Sequence, residues 1–531
     1  MTIRFNMART GCFAVANVAR LVVGYQTQRA QRRGGPQRIF WATKSTKGRK
    51  EKVESFGGGG TLRSLFTMNV HLKFLAGFVC VFSCVAAGAD SPKTADAFFR
   101  DTTVWDMALT VSPESYAALE PEGGRRFDVD FEYVRAGIRI VGQAFEDAGL
   151  RYKGNSSFST ARGIPKKSFK IDFNKFVKGQ KFLGLTKLNL NNNVLDPSQI
   201  REALAYRLWR KLGLPGSRTT FARVTLSVPG QFDKKLLGLY VVVEQVNGPY
   251  LKERFGTDKG LLLKPERSLA MPYFGEAFAE YERVYVPKSD AKPSLGKRLM
   301  AFTRLVSQAD DAAFAEQIGG FVAFERLAKF TAAHAVLSHL DSFLLRGHNY
   351  YLYLPKAGGK FVFLPWDLNS TFASHSSAGR PEQQFDLSVK QPFADGQRLL
   401  ERLMKLESFR EPYEAAVKEL VATHFSKTLI ERDMAELRKA VEPVVTEDEF
   451  SDLRQFMGNF EPVKAAPGEP ANRGRGRVIR KPFLRDFVAK RHESIAAQLA
   501  GEREGYVPSM RRRSGGRGER PSRRRPRRSE W

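Results

Sequence analysis

Apolar side chains fall at every second position through much of residues 102–173, and that spacing decides what this stretch can fold into. Residues 105–111, 127–131 and 137–141 each alternate in this way, which predicts antiparallel strands with one face in a core. From Pro197 the spacing changes. Ile200, Leu204, Leu208 and Leu212 recur every fourth residue, and Gly213 and Pro215 stop the helix this predicts. Two further strands are expected at 222–228 and 237–243. Residues 321–345 are almost uncharged and apolar on most sides, as in a helix buried at the centre of a larger unit. Residues 350–353 and 361–364, joined by 355–359, predict a β-hairpin. Beyond Arg398 three helical stretches are expected, with a loop rich in Pro, Gly and Arg at 465–476. The class is therefore α+β, with strands gathered first and helices later.

Charge sits mainly at the two ends. Of the formal +30, residues 1–67 carry 13 Lys and Arg against 2 acids, and residues 511–531 carry 10 Arg against 2 Glu. The middle keeps an ordinary excess that suits a phosphate-handling cleft, and no specific nucleic acid is expected as a partner. The Arg-rich tail, taken as 506–531, is expected to be disordered, with an anionic envelope polymer as its target or simple solvation as its role.

Residues 68–89 have the layout of a secretory signal peptide: one Lys, an apolar run at 74–87, and Ala87-Gly88-Ala89 at the end. The run is short for a membrane span, so none is expected after cleavage. Residues 1–67 then form an upstream extension or a disordered leader. Cys12, Cys80 and Cys84 all precede the cleavage point, which excludes disulfides, thiolate catalysis and cysteine-ligated zinc from the exported chain. Residues 81–84 loosely resemble a lipoprotein site, with Phe82 a poor fit. Export to the envelope or beyond is the expected fate.

Candidate chemistry falls in four places. Gly154, Asn155, Ser156 and Ser157 form a small, hydroxyl-rich turn after a strand, either an ordinary polar turn or one whose N–H groups approach phosphate oxygens. Lys170 alternates with Phe169 and Ile171 on the next strand, placed to contact nucleotide phosphates or simply solvated, and Glu202 on the following helix is its candidate partner. Asp196-Pro197 reads as an N-cap followed by proline at the first helical position. At Glu244 an apolar strand turns polar, where backbone groups would meet an adenine edge. Finally, Asp341, Asn349 and Asp367 bring three oxygen donors around the predicted hairpin. Asn349 and Asp367 are natural ligands for Mg²⁺ or Mn²⁺ beside nucleotide phosphates, leaving Asp341 to orient or deprotonate an acceptor hydroxyl. Local hydrogen bonds and turn formation are the plainer roles for these acids. His334 and His339 are five residues apart, about 140° around a helix, unlike a helical zinc pair. His348 is expected to buttress Asn349.

These residues resemble the spore coat protein H kinase family. The likeness runs through Lys153-Gly-Asn-Ser-Ser157 with Lys167-Ser-Phe-Lys170, through residues 188–193 with Asp196-Pro197 and Arg201-Glu202, and through Gly238-Leu-Tyr with Glu244-Gln-Val. It continues in Gly347-His-Asn-Tyr350 and Pro365-Trp-Asp-Leu368, and covers most of residues 100–500. The resemblance implies an atypical, protein-kinase-like bilobal fold with a strand-rich lobe at 100–265 and a helix-rich lobe at 266–505. It also implies binding of ATP with a divalent metal and phosphorylation of serine on secreted or coat proteins. It places Lys170 on phosphate, Glu202 against it, Asp341 in the catalytic role, and Asn349 and Asp367 on metal. Two departures matter: Lys153 where the family turn starts with Arg, and Asn369 where a second Asp is common, which puts a second metal ion in doubt. The alternative is a nucleotide-binding or non-catalytic envelope protein on the same fold.

Overall fold

The computed structural model describes residues 91–121, 130–290, 293–356, 359–462 and 481–509. The expected N-terminal extension, the signal segment, the 465–476 loop and the Arg-rich stretch from 511 lie outside the described residues, as does most of the strand expected at 127–131. Seven strands, β1 (Val104–Thr110), β2 (Val134–Ile140), β3 (Gln143–Tyr152), β4 (Phe169–Asp172), β5 (Lys187–Asn191), β6 (Thr219–Val228) and β7 (Phe232–Glu244), close a barrel in the order β1-β2-β3-β4-β5-β7-β6. The one parallel pairing, β1 with β6, makes the closure.

Period-two alternation sorts the barrel's two faces. Leu150 and Tyr152 of β3, Phe169 and Ile171 of β4, and Leu188 and Leu190 of β5 fill the interior. Their alternates Arg151, Lys170, Lys187, Asn189 and Asn191, with Lys153 just past β3, take the outer face. Registers set Arg151 opposite Lys170, and Lys170 opposite Asn189. From Leu237 to Val243 strand β7 reads as an apolar run interrupted only by Gly238, because both faces of that half are covered. Tyr240 and Val242 point into the barrel, while Leu239, Val241 and Val243 pack outward in the same core as α1 (Arg201–Lys211), which is buried from Arg201 to Trp209.

A second, antiparallel sheet of β8 (Gly260–Pro265), β9 (Tyr285–Pro287), β10 (Tyr350–Pro355) and β11 (Val362–Pro365) has the order β11-β10-β8-β9. Strand β8, which the expected boundary at 265 assigns to the first lobe, pairs with β10. The larger core around this sheet is completed by α2 (Pro293–Gln308), α3 (Phe324–Val336), α4 (Glu407–Ala422), α5 (Lys427–Glu447) and α6 (Leu484–Leu499). Among the described residues no helix is long and apolar enough to cross a membrane.

Several expectations are corrected. Helix α3 stops at Val336 and Ser338 takes a left-handed φ of 45°, so Asp341 lies in an irregular segment instead of closing a helix. Leu340, Phe343 and Leu344 of that segment are fully buried, which explains its helix-like apolarity. Asp196 does not cap as a direct neighbour. Its carboxylate reaches five residues forward to the N–H of Arg201 at 2.9 Å, so α1 begins there and Pro197 stays in the preceding turn. Beyond Arg398 the described residues contain five helices, two of them six-residue pieces at Arg398–Leu403 and Leu453–Gly458. Residues 506–509 are not part of a loose tail: Tyr506 bridges to Leu387 and its hydroxyl donates to the carbonyl of Ala378 at 3.1 Å.

Candidate active site

The outer face of β3, β4 and β5 is a ladder of cations. Lys170 donates to Gln245 Oε1 at 2.6 Å, and Asn189 Nδ2 reaches the same oxygen at 3.2 Å. Burial pushes the Lys170 ammonium well below its ordinary pKa, and the charges of Lys153, Arg151, Lys187 and Lys288 push it further. Five cations converge with no carboxylate prominent in the field at Lys170, and like charges set directly across a sheet repel. Part of this charge is met within the chain, Lys187 by Asp172 at 3.0 Å and Lys153 by the nearby Asp367 and Glu202, and the remaining excess suits a bound anion.

One step along the same face, Lys153 Nζ donates to Asn191 Oδ1 at 2.6 Å, and Asn191 Nδ2 donates to Glu202 Oε2 at 2.6 Å. The expected Lys170–Glu202 pair is therefore not formed. Asn191 relays Glu202 to Lys153 instead, because Lys170 pairs with Asn189, two residues back along β5 from Asn191. Lys153 also stands 5.8 Å from the ring centroid of Trp366. Burial and the nearby Asp367 charge push Glu202 up to about 7, opposed by the Asn191 hydrogen bond and the Lys153 charge.

The hairpin supplies the facing groups. Tyr350 pairs with Pro365, and Trp366 N–H donates to Asn349 O at 3.2 Å, so Asn349 and Asp367 emerge at the same end of β10 and β11. Both adopt left-handed backbone, φ 57° and 54°, a costly conformation that concentrates at functional sites. Asn349 Nδ2 donates to Asp341 O at 2.7 Å, which leaves its Oδ1 without a donor among the described residues. Asn369 Nδ2 donates to Asp367 Oδ1. Burial raises the Asp367 pKa and Asp341 adds to it, against the cations Lys153 and Lys264 and His348. A buried carboxylate in this state gains from a further cation. Asp341 differs: burial pushes its carboxyl up, but the hydrogen bond from His348 Nε2 at 2.9 Å and the charges of His375, His348 and His339 outweigh that and hold it well below the ordinary range. His348 thus supports Asp341 and not Asn349.

The family model described as CotH kinase protein matches residues 150–494, which spans every residue of this site. The chain belongs to the CotH kinase family. Inner spore coat protein H of Bacillus subtilis (strain 168) is 24% identical over 331 residues, 60% of this chain and 84% of the relative. Among solved structures, the Shewanella oneidensis MR-1 toxin–antitoxin complex of HipA, HipB and operator DNA is similar at TM-score 0.21 and 12% identity, over 63% of this chain and 58% of that one.

Other predicted residues of this CotH kinase family member fall differently. The Glu244 carboxylate is taken by Arg218 at 2.5 Å and Arg254 at 2.7 Å, and its N–H donates to Arg218 O, so the polar group serving the cationic face is the next residue, Gln245. Gly154, Asn155 and Ser156 are exposed; Gly154 has φ 83°, and a Cβ there would lie 2.3 Å from Ser157 Oγ, so only glycine fits. Ser156–Thr160 forms a short helix where a plain turn was expected. His334 and His339 stack with Nδ1 atoms 3.0 Å apart, and burial holds both below the usual histidine pKa. A surface cleft of about 550 Å³ shares no residue with this site, and its charges form a shared network in which Asp101 takes Arg207 and Arg210, and Asp433 takes Lys211 and Arg207. Sequence reasoning assigned no role to Arg151, Lys153, Lys187 or Asn191, although their period-two spacing on β3 and β5 was a usable signal.

Proposed function

We propose that this chain is an exported atypical kinase that moves the γ-phosphoryl group of ATP to a Ser or Thr hydroxyl of an exported or coat protein. The observation that carries this reading is Lys170 held among four other cations with no ion pair of its own among the described residues, on a face whose next cation, Lys153, senses the Asp367 charge. A strand-rich lobe and a helix-rich lobe would form the two walls, as in protein kinases.

In this reading Lys170, Arg151 and Lys187 bind the polyphosphate, and Gly154 lets the adjoining backbone approach it closely. Glu202 holds Lys153 through Asn191. The free oxygens of Asn349 and Asp367 suit a hard divalent cation, Mg²⁺ or Mn²⁺. Bound there, such an ion would neutralise phosphate charge. Among the described residues no group of three His, Cys, Asp or Glu could hold a metal alone, so the nucleotide and water would complete the coordination. Asn369 occupies one oxygen of Asp367 with an amide, which favours a single ion. The acceptor oxygen forms its bond to phosphorus as the bond to ADP breaks, and the hydroxyl proton passes to an oxygen of the transferred phosphoryl group and from there to solvent. With its depressed pKa Asp341 is a weak base, so its role is to orient that hydroxyl, which suffices for a loose transition state.

The relative's name, inner spore coat protein H, supports a coat or envelope setting. Radiolabel transfer from ATP to exported proteins of the source cell, with Mg²⁺ or Mn²⁺, tests the reading. Incorporation that is lost in Asp367→Ala supports it, and equal incorporation by both proteins defeats the metal assignment. Tight ATP binding with no transfer to any acceptor would favour the non-catalytic alternative. Deleting residues 511–531 should remove binding to an anionic polymer while sparing transfer; joint loss contradicts a separate role for the tail.

A further inference from the structure

Lys481 enters the site from the far end of the chain. Arg201, fully buried at the start of α1, uses its guanidinium to join three segments. Nε binds Asp196 at 3.3 Å, Nη1 binds the carbonyls of Thr371 and Phe372 at 3.2 Å each, and Nη2 binds the carbonyl of Pro482 at 3.1 Å. The residue before Pro482 is thereby fixed beside the backbone that follows Asp367. Lys481 is partly buried there, yet among the described residues its ammonium makes no hydrogen bond and no ion pair. Of the charges it feels, Arg201 and Asp196 act most strongly and Asp341 and Asp367 follow, and His375, 3.8 Å from Asp341, senses its charge.

We propose that Lys481 binds the terminal phosphoryl group of the nucleotide. This rests on the kinase reading above and adds a specificity to it. Asp367 marks the metal side and Asp341 the acceptor side, so a cation that reaches both stands where the group in transit must pass. Lys170 answers to a different set, Arg151, Lys153, Lys187 and Lys288, and serves the phosphates on the barrel side. Lys481 should therefore distinguish ATP from ADP, whereas Lys170 should not.

The test is calorimetric titration of the full chain with Mg²⁺ and either ADP or a non-hydrolysable ATP analogue, for wild type, Lys481→Met, Lys481→Arg and Lys170→Met. Loss of one charge-assisted contact should weaken the triphosphate roughly 10- to 100-fold in Lys481→Met. ADP affinity should stay within about 2-fold of wild type, a free-energy change under ~0.5 kcal/mol. Lys481→Arg should recover much of the loss, and Lys170→Met should weaken both ligands. Equal changes for the two nucleotides in Lys481→Met, or none for either, overturn the inference while leaving the kinase reading intact. If wild type binds neither nucleotide, the kinase reading fails and this inference goes with it.

Discussion

Replacing Lys170 with Met should make the ligand-free protein more stable and its nucleotide response weaker. The ammonium faces Arg151 directly across the sheet, a like-charge pair whose removal returns about 0.2–1 kcal/mol. Ending the burial of a cation with no counter-ion adds about 1 kcal/mol. Gln245 Oε1 keeps its contact with Asn189, so no acceptor is orphaned. The net expectation is a gain of about 1–2 kcal/mol. With ATP·Mg²⁺ at 100 times its dissociation constant, wild type gains about 2.7 kcal/mol by mass action. Losing a charge-assisted contact worth about 1.5–3 kcal/mol raises that constant roughly 10- to 150-fold. The ligand-induced gain of the variant at the same concentration then falls to about 0.3–1.3 kcal/mol. Urea unfolding of both proteins with and without ATP·Mg²⁺ measures all four stabilities. A variant less stable than wild type without ligand, with an undiminished nucleotide response, would refute the assignment of this cluster to phosphate.

Lys166 and Asp448 form an ion pair at 1% and 0% side-chain exposure that ties the barrel to the turn after α5, and Asp448 also accepts from Leu239 N–H at 3.1 Å. Lys166→Met should cost about 3–5 kcal/mol because it strands that carboxylate, whereas Lys166→Met with Asp448→Asn should cost clearly less; equal losses in urea melts would show that the charge is not the issue. His339, fully buried and pushed down to about 3 from 6.5, stays neutral in the fold while the unfolded chain takes up a proton. Stability should therefore fall by about 2 kcal/mol between pH 6.5 and 5 from this residue, and His339→Asn should flatten the curve of unfolding midpoint against pH. An unchanged curve would count against a buried neutral histidine.

Much of the barrel was legible because half-buried strands write period two into the sequence, and β1, β2 and β6 declare themselves that way, while β7 shows as an apolar run. Its parallel closure by β1 and β6 was not, since nothing local records which distant strand completes a sheet. Helix α3 was overread past Val336 because a loop buried on every side is as apolar as a helix. The hairpin carrying Asn349 and Asp367 could be anticipated from two apolar runs and a Pro-Lys-Ala-Gly-Gly joint. The Lys170–Glu202 pairing could not be checked without register: Asn191 stands between Glu202 and a lysine 38 residues earlier, a contact that only the β3–β4–β5 ladder creates. Lys481, just beyond a segment rich in Pro, Gly and Arg, looks solvated in the sequence. Its position near Asp367 depends on the reach of Arg201.

The central claim is that Asn349 and Asp367 complete a divalent-metal site on bound nucleotide. Calorimetric titration of ATP with and without Mg²⁺, in wild type and in Asp367→Ala, tests it most directly. Wild type should bind ATP at least about 10-fold more tightly when Mg²⁺ is present, and Asp367→Ala should lose most of that difference while still binding metal-free ATP. The same metal dependence in both proteins would contradict the account.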